Sequence, residues 1–118
     1  MRLHIKLKVK NSMEMENFLH LEARIVEALK TVYDPEIPVN VYDLGLIYNI
    51  DVNDEQKVTL TMTLTAPNCP LVDQLLEDVY AAVKDVPGVA EVEIRLTFDP
   101  PWNKSRMSEE AMLELGLL

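Results

Sequence analysis

The chain has 118 residues, one cysteine, two histidines and a formal net charge of −9. That length makes one domain, and a hydrophobic fraction of 48% supports a real core, which excludes a disordered tail. No apolar run approaches the roughly 20 residues that span a bilayer, acidity disfavours nucleic acid as a partner, and a lone cysteine without an export signal points to the reducing cytoplasm.

Residues 1–12 alternate strictly, with Leu3, Ile5, Leu7 and Val9 on one side and Arg2, His4, Lys6, Lys8 and Lys10 on the other. This period of two predicts a strand, an edge strand guarded by its lysines. With further methionines at 13 and 15, residues 1–15 read as a basic extension ahead of a domain spanning 16–118. From Asn17 the period lengthens. Phe18, Leu21, Ile25, Leu29 and Val32 predict an amphipathic helix that Asp34-Pro35 stops.

Residues 34–45 hold two prolines and a glycine, yet also Ile37, Val39, Val41, Tyr42 and Leu44. Such a loop is expected to pack down. Strands follow at 46–52 and 57–65, joined by a turn at 53–56. In the second, Val58, Leu60, Met62 and Leu64 are predicted to face the core and Thr59, Thr61, Thr63 and Thr65 the solvent. Leu71, Leu75, Leu76, Val79 and Val83 mark a second helix, ended by Pro87-Gly88. Val92, Ile94, Leu96 and Phe98 form the apolar side of a third strand. Ser108 caps a short helix that Gly116 stops, and Met107, Met112, Leu113, Leu115, Leu117 and Leu118 are expected to pack as a lid.

The predicted fold is therefore α+β, a two-layer α/β arrangement in the order α-β-β-α-β-α. A small mixed sheet is covered by two helices, with an extra N-terminal strand. The strand–helix–strand unit over 57–98 makes the last two strands parallel.

Cys69, between Asn68 and Pro70, is the first chemical candidate. Pro70 suits a first helical position, which puts Cys69 at the helix N-terminus, where a thiolate is favoured. A buried, inert cysteine is the competing reading. Thiol catalysis needs a base within reach, but only His4 and His20 exist, and neither forms a recognisable pair. No catalytic residue is assigned. A closed zinc site fails for want of other thiols, although one thiolate per chain can contribute to a metal centre shared between two copies. The acidic residues Asp34, Glu36 and Asp43 are the second candidates, against a plain role in turns. Trp102, in Asp99-Pro100-Pro101-Trp102, is either a partner anchor or a filler at the edge of the core.

Taken together, Asp34-Pro35-Glu36-Ile37-Pro38-Val39-Asn40-Val41-Tyr42-Asp43-Leu44-Gly45, Thr63-Leu64-Thr65-Ala66-Pro67-Asn68-Cys69-Pro70, Phe98-Asp99-Pro100-Pro101-Trp102 and Met107-Ser108-Glu109-Glu110-Ala111 resemble the SufT-like iron–sulfur assembly domains. The resemblance runs from about Leu21 to the C-terminus. It implies a cytoplasmic, non-enzymatic factor that carries clusters or targets apo-proteins. Its partners would be the assembly machinery and its clients, with no nucleic acid or membrane, and a homodimer is possible. The family's motif cysteine matches Cys69, the expected ligand of a transient or shared cluster. Asp43 is a further possible metal ligand, and Asp34, Glu36, Asn68 and Trp102 line the neighbourhood. Asn68 replaces a glycine common in the family, and tolerates the same left-handed backbone. The related PaaD-like oxygenase accessories carry extra C-terminal cysteines, absent here. An adaptor with a structural Cys69 remains the other alternative.

Overall fold

A computed structural model of the chain describes residues 12–66 and 71–117. The elements are α1 (Ser12–Leu29), β1 (Ile47–Val52), β2 (Lys57–Met62), α2 (Val72–Lys84), β3 (Glu91–Leu96) and α3 (Glu109–Glu114), with a 3₁₀ turn at Lys104–Arg106. The sheet order is β1-β2-β3, with β1 antiparallel and β3 parallel to β2. This is the predicted order and the predicted mixed sheet. The expected basic strand lies outside the described residues, apart from Ser12, which begins α1 five positions before Asn17.

One face of the sheet is apolar because the period-two stripes of its strands come into register. Val52 lies opposite Val58, and Val58 opposite Val92. With Ile50, Leu60 and Met62 they join Ile25 and Leu29 of α1 and Leu75, Val79 and Val83 of α2 in one core. The other face carries Asn49, Asp51, Thr59, Thr61, Glu93 and Arg95, all partly or fully exposed, which makes the fold two-layered. α1 stops at Leu29, before Asp34-Pro35. Val32 still reaches the core, and the loop behind it packs down as expected, with Val39, Val41 and Leu44 buried.

Four expectations are corrected by tertiary context. β2 ends at Met62, so Thr63 leaves the alternation and is fully buried. Leu71 is the N-cap of α2 and is exposed, so the helix begins two residues later than a start at Pro70 requires. Leu96, the last residue of β3, and Phe98, beyond its end, are exposed because no described element covers the apolar face there. In the C-terminal lid Met107 and Ala111 are buried, but Leu113 and Leu117 face solvent. Ser108 does cap α3, its Oγ accepting from Ala111 N–H. Gly116 closes it at φ +73°, with Leu117 N–H bonding Met112 O and Gly116 N–H bonding Leu113 O.

Candidate functional site

The loop between α1 and β1 is organised by its own polar side chains. Asp34 is 8% exposed, and its Oδ2 accepts the backbone N–H groups of Glu36 and Ile37, each at 2.9 Å. The carboxylate thus folds the Asp-Pro-Glu-Ile turn around itself, while Glu36 points to solvent. The turn closes with Asp34 N–H to Val39 O and Val41 N–H to Val32 O. Six residues on, Asn40 holds Asp43: its Nδ2 donates to Asp43 Oδ2 at 2.8 Å, and its Oδ1 accepts from Asp43 N–H at 2.9 Å.

The C-terminal segment straps this loop down. Trp102 Nε1 donates to Leu44 O at 2.7 Å, and Ser108 N–H to Asp43 O at 2.8 Å. Gly45, at φ +85°, lets the backbone of Arg106 approach so closely that a Cβ there would meet Arg106 O, with Arg106 C at 2.7 Å. Trp102 is half-buried against the core and fastens the C-terminal segment to the loop.

A bulge in β1 completes the site. Ile47 pairs with Met62 and Asn49 with Thr61, leaving Tyr48 as the extra residue, and such a bulge re-aims its side chain. Tyr48 Oη donates to Pro100 O at 2.8 Å, and the Arg106 guanidinium lies 4.6 Å from its ring centroid, a cation–π stack. The Nε of Arg106 is buried without a hydrogen-bond partner. Tyr42, Asp43, Tyr48, Asn103, Arg106 and Ser108 are among the residues that line a cleft of about 750 Å³. Burial pushes the Tyr42 phenol above its usual pKa against the pull of Lys30, whose Nζ is 5.6 Å from the ring centroid. Tyr42 is therefore a neutral donor at physiological pH.

Sequence reading singled out Asp34, Glu36, Asp43 and Trp102. The structure joins Asp43 and Trp102 through the strap, packs Asp34 into its own turn and leaves Glu36 in solvent. Asn68 and Cys69 lie outside the described residues. What connects to them is described: Thr63 N–H donates to Leu46 O at 2.9 Å, tying the exit of the acidic loop to the stretch that leads into Cys69. Among the described residues the Thr63 hydroxyl is wholly buried and has no hydrogen-bond partner, an uncommon state for a buried polar group. Asn40, Tyr48, Thr63 and Arg106 were not singled out. The Asn-x-x-Asp spacing at 40–43 was a readable signal for the first; the others depend on a bulge, a strand end and a long-range contact. Among the described residues no three His, Cys, Asp or Glu side chains converge on a possible metal position, and no helix is long and apolar enough to cross a membrane.

The chain is 66% identical over 101 residues to an Fe-S protein maturation auxiliary factor of Porphyromonas gingivalis, covering 86% of this chain and 96% of that protein. It is 36% identical to the Fe-S protein maturation auxiliary factor SufT of Staphylococcus aureus, over 73% of this chain and 98% of that one. A crystal structure of a domain of unknown function from Bacillus anthracis superposes with a TM-score of 0.80 at 35% identity, covering 92% of this chain and all (100%) of that one. Residues 22–94 match the family described as iron–sulfur cluster assembly protein, and the chain belongs to that family.

Proposed function

We propose that this chain is a non-catalytic maturation factor of the cytoplasm that helps deliver iron–sulfur clusters to apo-proteins, with Cys69 as the point of cluster contact. The observation that carries this reading is the tie between Thr63 and Leu46. It fixes the clamped acidic loop beside the root of the cysteine-bearing connection, on the same end of the sheet. The names of the Porphyromonas and Staphylococcus relatives support the same role. The cluster is cargo in this reading. A retained cluster normally takes about four protein ligands, and one cysteine per chain favours transient holding with groups from a donor or client. Asp43 is half-engaged by Asn40 and serves as a positioning carboxylate beside the cleft.

The test is anaerobic transfer from a cluster-loaded donor to an apo-client, with wild type and Cys69→Ser compared. The variant is expected to lose the acceleration of transfer while its melting temperature stays unchanged. Equal transfer by both would overturn the contact role and favour an adaptor that docks clients through the cleft around Arg106. A loss of client binding in Arg106→Ala with transfer chemistry intact would mark that second reading.

A further inference from the structure

Among the described residues, the outer edge of β3 presents an apolar row that no other element covers. Leu96 and Phe98 are each 41% exposed, and Tyr80 of α2, which stands above this edge, is 44% exposed. Between α2 and β3 lies a cleft of about 430 Å³ lined by Leu76, Glu77, Tyr80, Val92 and Ile94. The hydrogen-bonding groups of the edge follow from the ladder. Thr97 N–H donates inward to Met62 O, so by alternation Arg95, Glu93 and Glu91 face β2 and the backbone groups of Val92, Ile94 and Leu96 face outward. The outward row begins at Val92, since Ala90, just before the strand, turns its N–H inward to Gln56 O while its carbonyl accepts from the Lys84 ammonium at 2.9 Å.

We propose that this edge is the contact surface for a second copy of the chain, with β3 pairing antiparallel to the partner's β3 about a twofold axis at Ile94. The strand is self-complementary in that register and the occupant follows from it. Val92 opposes the partner's Leu96, and Ile94 opposes the partner's Ile94. Glu93 opposes the partner's Arg95 on the opposite, polar face. Every outward N–H and C=O of the three even residues finds a partner, and unlike charges meet where like charges would repel. In the free chain Arg95 Nε already contacts Glu93 Oε2 at 2.6 Å, and Lys57 stands 3.4 Å from Glu93 Oε1. The pairing extends that row of alternating charge without burying it. Leu96 of each copy then lies beside the partner's Val92 and fills the cleft beneath Tyr80, giving a six-stranded sheet with both copies of α2 on one face. Exposed apolar edges of this kind are usually blunted or paired, and an isologous contact covers the β3 edge of both copies at once, leaving β1 as the outer strand on each side.

α2 starts at the end of the sheet where β3 finishes, so the twofold sends the two copies of Ala66 and Leu71 to opposite ends of the paired sheet. Sedimentation equilibrium over micromolar to submillimolar protein tests the proposal. Wild type is expected to dimerise reversibly. Glu93→Arg and Arg95→Glu, which each place like charges opposite one another, are expected to weaken dimerisation about tenfold or more, and the double variant E93R/R95E to recover it. Far-UV circular dichroism confirms that each variant is folded. A folded wild type that stays monomeric throughout, or a dimer indifferent to these charges, overturns the proposal. So does a monomer whose Ile94 and Leu96 amides resist hydrogen exchange, which would assign the edge to another occupant, the basic segment 1–11 included.

Discussion

The indole N–H of Trp102 is bonded to the carbonyl of Leu44 at 2.7 Å across 58 residues of sequence, and this bond fastens the C-terminal strap to the acidic loop. Leu44 is fully buried, so its carbonyl has little access to water if the donor is lost. Trp102→Phe keeps most of the ring and deletes the donor; a cost of about 1–3 kcal/mol is expected. Thermal unfolding should show a lower melting temperature, with Asp43 and Leu44 amides exchanging faster. An unchanged melting curve would show that the bond carries no stability.

Gly45 is irreplaceable for two independent reasons, its φ of +85° and the Arg106 backbone against it. Gly45→Ala should cost roughly 3 kcal/mol or more, since left-handed strain and a clash with backbone add. Gly116 has a similar φ of +73° but nothing within 4 Å. Gly116→Ala should therefore cost only about 1 kcal/mol. Denaturant midpoints of the two variants separate crowding from backbone conformation.

Asp34 has a fold role that a charge-neutral acceptor can keep. Asp34→Ala removes the acceptor of two amides at 2.9 Å and should destabilise by about 1.5–3 kcal/mol. Asp34→Asn retains an acceptor oxygen and should lie nearer wild type. If the D34N variant folds normally yet fails in cluster transfer, the negative charge serves the chemistry and not only the turn.

Glu22 and Glu93 predict opposite pH dependences. Burial raises the Glu22 carboxyl pKa, and its Oε2 has no hydrogen-bond partner. A carboxylate raised on folding binds its proton more tightly in the native state, so its contribution improves as pH falls through the raised value. Glu22→Gln should then raise the melting temperature at neutral pH, with the gain vanishing in acid. The hydrogen bonds from Arg95 and Lys57 lower the Glu93 pKa, so its contribution is present at neutral pH and lost on acidification. Melting curves of both Gln variants at pH 7 and pH 4 decide the signs.

The β1–β2 turn holds the one non-glycine residue at positive φ among the described residues, Gln56 at 63°. Asn53 Oδ1 anchors that turn on the N–H groups of Glu55 and Lys57, each at 2.9 Å. Replacing Gln56 with glycine relieves the left-handed strain and should stabilise by a few tenths to about 1 kcal/mol. A fall in denaturant midpoint would contradict this.

The stripes were readable wherever an element packs on its neighbours along its whole length. Leu21, Ile25 and Leu29 are buried as their spacing demands, as are Val58, Leu60 and Met62. The same alternation fails at Leu96 and Phe98, because period two reports which face a residue points to, not whether anything covers that face. Thr63 fails at the other limit, where the strand has ended and the pattern no longer applies. The acidic loop was legible as a packed turn because Asp34, Asn40 and Asp43 act on backbone a few residues away. The strap was not: Trp102, Arg106 and Ser108 meet Leu44, Gly45 and Asp43 through contacts that no local periodicity encodes.

The strap also orders events in time. Residues 34–48 emerge from synthesis well before their fasteners, and the 58 positions between Leu44 and Trp102 take about 3–12 s to translate at 5–20 residues per second. Through that interval the hairpin and α2 can assemble around α1, while the Leu44 carbonyl has no indole and Gly45 no Arg106. The loop proposed to sit beside the cluster is therefore made early and locked late, so a nascent chain cannot present the finished site before its framework exists.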